Sequence, residues 1–397
     1  MARICMVAYT AYTKDTRVRR EAEALVDRGD VVDVICLREK GEEIRRFNGV
    51  SLFQVRTGRY RGSSATKYLA KYFQFFVAAS LRLAFLHLKK PYEIIQVHTM
   101  PDFMVFTAII PKLLGAKVIL DVHDLMPELY QSKYGLYKSH WLIRFITWME
   151  RRSVGFAHRA IAVHKPHLDA LLGHGNPAGK FIVLLNLPDP KIFSNRTGAG
   201  SASDNSFRLI YHGTLAKRHG LRVALRALPH VKKEIKDLNF QIVGVGDDLP
   251  YLIDLVGELD LTDCVSISDG WLPKEELVPV ILNADMGIVP TLNDDFTKYM
   301  LPTKLLEYVA LGIPAICSRT ETVEAYFDDS MIQYVEPGDA NDLAEKILDL
   351  YRNPGKRGML AVNAEGFNRD YSWEKHRQRY YRLIDDLLLC ASTVRPA

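Results

Sequence analysis

Short apolar, β-branched runs alternate with segments of helical periodicity from the first residues to about position 187, and again from about 209 to 335. In the first half the runs at 4–7, 31–36, 94–97, 118–122, 160–163 and 182–185 read as buried strands, since they are apolar without polar alternation. The segments between them supply covering helices; Asp15 caps one whose Val18, Ala22 and Leu25 form an apolar stripe. In the second half 209–211, 240–243, 265–267, 286–289, 315–317 and 332–335 read the same way. This alternation predicts an α/β fold class with two Rossmann-like, doubly wound parallel sheets. Residues 1–193 form an N-terminal domain, 194–206, rich in Gly, Ser, Asn and Asp, a linker, and 207–372 a C-terminal domain. A last helix at 373–390 carries Trp373, Tyr380, Leu383 and Leu387 on one side and is available to complete the first domain. Open α/β sheets bind ligands beyond their strand C-terminal ends, so the expected site is a cleft between the two halves.

Composition narrows the class. A chain of 397 residues exceeds what one core fills, and 48% hydrophobic with 25% charged residues suits a globular enzyme. The net charge of +5 is too weak to argue for nucleic acid, but it suits anionic substrates or a lipid surface. Five scattered cysteines encode neither a disulfide framework nor a zinc cluster, and a reducing cytoplasm is expected. The start runs straight into a strand pattern without a basic n-region and apolar h-region, so no signal peptide is expected. The most apolar stretch, 68–88, is interrupted by Lys71, Gln74 and Arg82, which argues against a membrane span. With Lys67 these form a polar stripe beside Tyr72, Phe73, Phe75, Phe76 and Leu83. It reads equally as a monolayer-docking helix with a basic rim or as a buried helix showing one edge to water.

Residues 301–316 are the most informative. Pro302 and Thr303 start a helix, Gly312 stops it and Pro314 prevents continuation, while Leu305, Leu306, Val309 and Ala310 recur at helical spacing. The first turn leaves backbone N–H groups for an anion, and Glu307, one turn in, is placed to accept from neutral hydroxyls such as those of a ribose. A basic turn follows the first strand of the second half, where Gly213 lets the backbone turn and Lys217 and Arg218 stand at the sheet lip. Gly244 and Gly246 have the spacing of a nucleotide-binding turn, a weak signal in any strand–helix connection. Gly270, Trp271 and Leu272 read either as backbone presented to a base edge or as a turn anchored by an indole. In the first half Asp121, His123, Asp124 and Glu128 gather where a strand meets its loop, and His123 can serve a sugar hydroxyl or a leaving oxygen. His98 and Asp102 are weaker candidates of the same kind.

Taken jointly, the first-helix run Asp15-Thr16-Arg17-Val18-Arg19-Arg20-Glu21-Ala22, Gln96-Val97-His98-Thr99, Val122-His123-Asp124, His212-Gly213-Thr214, Ala284-Asp285-Met286-Gly287 and 302–314 resemble retaining glycosyltransferases of family four, with the two-domain GT-B fold. The resemblance implies a nucleotide-diphosphate sugar, UDP- or GDP-linked, as donor on the C-terminal half and a glycan or lipid-linked acceptor on the N-terminal half. It implies no metal, no separate cofactor and no nucleic acid partner. Glu307 matches the ribose-binding glutamate, the backbone of Lys304, Leu305 and Leu306 the diphosphate cradle, and His123 the histidine near the donor sugar. Gly213, Thr214, Arg218, Gly244, Gly246, Trp271, Leu272 and Thr303 complete the expected donor site. Where the family often has a second glutamate this chain has Tyr299, leaving Asp294, Asp295 or backbone amides to touch the transferred sugar. Where the family has an Arg and a Lys after the strand glycine it has Thr214 and His219, so Lys217 and Arg218 are the expected compensating cations. Residues 8–15 also lack the family's glycine-rich turn. The expected activity is that of a cytoplasmic transferase at or near an anionic membrane surface; the rivals are a sugar-nucleotide epimerase or phosphorylase on the same architecture, or a degenerate glycan-assembly partner.

Overall fold

Each of the twelve expected apolar runs forms a parallel strand, because residues buried on both sides of a sheet need no polar alternation. The computed structural model describes residues 1–38, 43–57, 65–193, 206–268, 270 and 272–392. They pack as two units, Met1–Asn186 with Glu374–Ala397, and Leu187–Trp373.

The first unit holds an eight-stranded sheet of β1 (Arg3–Ala8), β2 (Val31–Leu37), β3 (Arg46–Phe47), β4 (Val50–Val55), β5 (Ile94–His98), β6 (Lys117–Val122), β7 (Arg159–Ala162) and β8 (Phe181–Val183). Their spatial order is β3-β4-β2-β1-β5-β6-β7-β8, parallel except for the β3–β4 hairpin. That hairpin was not expected from the sequence. β4 alternates buried Val50 and Leu52 with half-buried Ser51 and Phe53, so it carries no continuous apolar run. The order reverses between β1 and β5, which places this unit's ligand-binding end at Ala8 and His98.

Five helices of this unit bear on function: α1 (Thr16–Asp27), α2 (Ala65–Lys89), α3 (Ile109–Leu113), α4 (Met126–Tyr134) and α5 (Trp141–Phe156). The Asp15 carboxylate caps α1 by accepting from the Val18 N–H at 3.3 Å, and Val18, Ala22 and Leu25 are fully buried. In α2 the stripe Phe75, Ala79, Leu83 and His87 is buried at four-residue spacing. Burying Phe75 and Leu83 stabilises by roughly 2 kcal/mol each, enough to hold α2 on the sheet. By length and composition alone Thr66–Lys89 would nevertheless suffice to cross a membrane, so the polar interruptions do not exclude a span as the sequence suggested. The helix Trp373–Ser392 returns to this unit, where the Tyr380 hydroxyl donates to Gln96 Oε1 at 2.5 Å and that of Tyr381 to the Ala24 carbonyl at 2.6 Å.

The second unit is a six-stranded, all-parallel sheet of β9 (Phe207–His212), β10 (Leu238–Val243), β11 (Val265–Ile267), β12 (Met286–Val289), β13 (Ala315–Ser318) and β14 (Gln333–Val335). Its order is β11-β10-β9-β12-β13-β14, with the reversal between β9 and β12. The units divide at Asn186 and Leu187, earlier than the expected 193, since Leu187 and Phe193 are buried and the Lys274 ammonium lies 5.5 Å from the Phe193 ring. The expected linker 194–206 lies, except for Ser206, outside the described residues.

Candidate functional site

In the second unit β9 delivers His212 to the strand end beside the sheet's reversal point, and Gly213 turns the chain with φ of 119°. The loop then runs alongside the end of β10: the N–H groups of Gly213 and Leu215 donate to the carbonyls of Val243 and Val245 at 2.9 and 3.0 Å. A Cβ on Gly244 would stand 1.8 Å from the Gly213 oxygen, and one on Gly246 1.9 Å from that of Leu215. Backbone packing thus accounts for the Gly-x-Gly spacing that the sequence associated with a nucleotide.

The helix Thr303–Leu311 starts after Pro302 with no side chain capping it, and ends at Gly312 in the left-handed conformation with φ of 73°. The amides of Leu305 and Leu306 donate to the Pro302 carbonyl, and their side chains are core. The expected cradle of residues 304–306 therefore narrows to the N–H groups of Thr303 and Lys304, which lie outside the helix's own bonding.

Lys304 contributes more than its amide. Its side chain is buried, with the ammonium 4.7 Å from the Tyr211 ring and the chain's end beside Gly213. Burial lowers its pKa to about 8, while Glu307 pulls it upward. Glu307 is buried too: Oε1 accepts from Lys274 at 2.5 Å. Its Oε2 lies 3.3 Å from His212 Nε2 without a hydrogen bond, so two buried polar atoms face each other unpartnered. Burial, with Lys274 and Lys304 nearby, holds His212 well below the usual imidazole range and neutral. A carboxylate oxygen in this state has unused capacity to accept a hydrogen bond.

The basic turn divides its roles. Lys217 is exposed, whereas Arg218 is half-buried, its Nε buried without a partner and its guanidinium 6.0 Å from the Phe296 ring. Burial with Lys304 and Arg218 depresses His219, burial with Lys274 and Lys304 depresses His212, and two of these cations, Lys274 and Lys304, also act on the Glu307 carboxylate. Arg218→Ala is expected to slow turnover on the order of a hundredfold and Lys217→Ala only slightly, a difference that initial-rate assays on the two variants measure.

Other expectations fare differently. Asp294 turns its carboxylate inward, accepting from the Phe296 and Thr297 amides and the Thr297 hydroxyl at 2.9, 2.8 and 3.0 Å. It holds the turn Thr297–Tyr299. Asp295 pairs with Lys298 at 3.3 Å on the surface. Thr214 is exposed, Leu272 is half-buried, and Trp271 lies outside the described residues. Sequence reasoning missed Lys274 altogether. It opens the helix Lys274–Leu282 far from Glu307 in the chain, and only the fold brings the two together.

In the first unit β5 and β6 carry His98 and Asp121 to the ends of buried strands, and His123 follows at the strand end. Asp121 Oδ2 lies 2.9 Å from both His98 Nδ1 and His123 Nε2, with the two imidazole nitrogens 3.3 Å apart. Burial pushes the Asp121 carboxyl up, but the two imidazoles outweigh it and hold the group well below the usual carboxylate range. Burial also opposes protonation of His98, yet Asp121 and Glu21 raise it, while burial and Arg17 lower His123. Asp121 thus favours the protonated form of His98 over that of His123, the least buried of the three. The same three side chains have ligand atoms within 4.8 Å of one another, close enough for a cation among the described residues. Glu128 serves elsewhere: His174 bridges it to Glu150 at 3.0 Å on each side, and these carboxylates raise the imidazole to about 10 against the cost of burial. Asp102 is buried, and burial raises its carboxyl well above the ordinary range.

Comparison with known proteins agrees with this geometry. The family described as glycosyl transferase 4-like domain matches residues 15–186, and that described as glycosyl transferases group 1 matches 206–353. The amylovoran biosynthesis glycosyltransferase AmsK of Erwinia amylovora is 28% identical over 182 residues, 45% of this chain and 44% of that protein. A GDP-mannose-dependent alpha-(1-6)-phosphatidylinositol monomannoside mannosyltransferase of Mycolicibacterium smegmatis is 25% identical over 174 residues, 43% of this chain and 45% of that protein. The chain spans about half the length of the curated relatives it matches. Among solved structures, sucrose-phosphate synthase from Thermosynechococcus elongatus superposes with a TM-score of 0.76 at 18% identity, covering 98% of this chain and all of that one. Anabaena Alr3699/HepE in complex with UDP-glucose does so at 0.72 and 13% identity, covering 97% of this chain and all of that one. These two likenesses show the GT-B fold. With both family descriptions matched along the chain, it belongs to the group 1 glycosyltransferases.

Proposed function

We propose that the chain transfers a sugar, with retention of anomeric configuration and without an obligatory metal, from a UDP- or GDP-linked donor to a glycan or lipid-linked acceptor. The product belongs to cell-surface polysaccharide or glycolipid synthesis, at the cytoplasmic face of an anionic membrane. The observation that carries this reading is the cluster at the β9/β12 reversal, where Lys274, Lys304 and Arg218 outnumber the Glu307 carboxylate among the described residues. Such an excess suits a diphosphate, and the unpartnered Glu307 Oε2 suits the adjoining ribose. The relatives support it: one acts in amylovoran biosynthesis, one depends on GDP-mannose, and one structural neighbour holds UDP-glucose.

In the reaction the bond between the anomeric carbon and the phosphate oxygen breaks with its electron pair leaving on the diphosphate. An acceptor hydroxyl oxygen then bonds to the same face of that carbon, and its proton passes to the departing phosphate oxygen. Charge accumulates on the diphosphate, so fixed cations accelerate the step. Lys304, Arg218 and the Thr303 and Lys304 amides supply that stabilisation, and Glu307 orients the nucleotide. Hydrogen bonding of His123 to Asp121 fixes its ring for the donor sugar or the incoming hydroxyl.

A thermal-shift screen of nucleotide sugars, followed by proton NMR of the product formed with and without a chelator, tests the proposal. A product of inverted anomeric configuration, or turnover abolished by chelator, would overturn it. Free nucleotide released only when acceptor is present separates a transferase from an epimerase. His123→Ala is expected to depress kcat by at least tenfold with little change in donor Kd, since His123 belongs to the first unit and the donor cations to the second. Calorimetry beside initial rates checks that split.

A further inference from the structure

The first unit presents an apolar helical face that the described residues leave uncovered. The steps from β4 to β5, β5 to β6 and β6 to β7 all advance in one direction along the sheet, so right-handed crossovers put α2, α3, α4 and α5 on one side. The step from β1 to β2 runs the other way and puts α1 on the opposite side. Ring contacts knit the first group together: Phe76 to Phe103 at 5.8 Å, Phe106 to Phe156 at 5.1 Å, and the Lys133 ammonium 5.6 Å from the Tyr68 ring.

Outward from this layer point large apolar side chains. On α2 the residues Leu69, Phe73, Val77, Leu81 and Phe85 repeat every four positions, opposite the buried stripe, and Leu81 is 68% exposed. Leu113 at the end of α3 is 82% exposed and Trp141 at the start of α5 71%. The stacked pair Phe145 and Trp148 is also exposed, and a groove of about 560 Å³ beside it is lined by Phe106, Trp148 and Phe156 with Arg151 and Arg152 among its walls. So extended an apolar surface is not normal for a monomer facing water.

Charge says what covers it. Segments 65–92, 103–120 and 129–149 contain no Asp or Glu, and they contain Lys67, Lys71, Arg82, Lys89 and Lys90, then Lys112 and Lys117, then Lys133, Lys138 and Arg144. Two of these are taken up by the fold, since the Lys112 ammonium donates to the Phe156 carbonyl and Lys117 lies in β6; the other eight, with no acid in their segments, match an anionic lipid monolayer. They do not match a second copy of the same face, which would bring like charges together. We infer that α2, α3 and α5 together dock the protein on an anionic bilayer, lying in the interface plane with α2 parallel to the membrane. A spanning α2 would strip its buried stripe of Phe75, Ala79 and Leu83 from the sheet. That the docked face serves a lipid-borne acceptor rests on the transferase reading above; the docking itself does not.

Co-sedimentation of the full chain with phosphatidylcholine vesicles, with and without an equal part of phosphatidylglycerol, is the test. Binding is expected only with the anionic lipid, falling steeply as salt rises. The triple variant Lys71→Glu, Arg82→Glu, Lys89→Glu should lose on the order of a hundredfold in partitioning. The variant Leu81→Ser, Leu113→Ser should bind less at every salt concentration while its circular-dichroism melt stays unchanged, which separates lost docking from lost folding. Equal binding to neutral vesicles, or indifference to the charge reversal, would overturn the inference. So would a dimer in sedimentation velocity that Leu81→Ser, Leu113→Ser dissolves, because the face would then belong to a second copy. Failure to dock with turnover intact would leave the transferase reading standing, and docking by a protein that binds no nucleotide sugar would do the reverse.

Discussion

Glu307→Ala is expected to weaken donor binding by tenfold or more and to lower kcat/KM on the order of a hundredfold. On the proposed reading the lost contact is a charge-assisted hydrogen bond from a ribose hydroxyl, worth roughly 1.5–3 kcal/mol in a buried setting. The variant also leaves Lys274, which Glu307 holds at 2.5 Å, without its partner in a largely buried place, so the melting temperature falls as well. Glu307→Gln separates the two effects. It keeps the shape and one acceptor oxygen, so it should restore part of the donor affinity while the ion pair stays lost. Isothermal titration with the donor and a thermal melt on both variants check this. Donor affinity of Glu307→Ala equal to that of the parent would remove Glu307 from the site.

Lys304→Met is expected to cost as much in rate, a hundredfold to a thousandfold, because the cation acts where charge develops. It should also change the pH dependence in a defined direction. Burial brings Lys304 from 10.5 to about 8, so between those values the unfolded chain holds a proton that the folded chain has released. Stability of the ligand-free protein therefore rises with pH across that window, by about 3 kcal/mol for this group alone. Lys304→Met should abolish that rise. Activity runs the opposite way: the charged form is the useful one, so kcat/KM should fall above about pH 8. A bound diphosphate favours the charged ammonium, so kcat should hold to higher pH than kcat/KM does. Urea titrations across the alkaline range and pH–rate profiles measure both. A profile unaltered by Lys304→Met would assign the alkaline limb to another group.

The two predictions share a physical basis. The cluster gathers more positive charge than its own carboxylate neutralises, at a cost in folding free energy, since a buried, deprotonation-prone lysine destabilises the ligand-free state. A doubly charged ligand relieves that cost, which ties donor binding to stability. Nucleotide sugars should accordingly raise the melting temperature of the parent more than that of Lys304→Met.

The chain's local pattern was enough to locate twelve of the fourteen strands among the described residues, because a strand buried on both faces is largely apolar, whereas the half-buried β4 and its hairpin partner β3 left no such run. It was also enough to locate the helix Thr303–Leu311, since Pro302 and Gly312 act through backbone geometry within a few residues. Glu307 and His123 stood out for the same reason, as polar groups set just beyond strand ends or one turn into a helix. Only the tertiary structure decided who their partners are. Lys274 reaches Glu307, and Lys304 the Tyr211 ring and Gly213, because β9 and β12 lie side by side. His98 and His123 converge on Asp121 because β5 and β6 do. Strand order is set by crossovers joining segments distant in sequence, and no local pattern records it. The Gly-x-Gly at 244 and 246 shows the converse limit: a spacing that suggests a ligand is explained by two backbones that must touch.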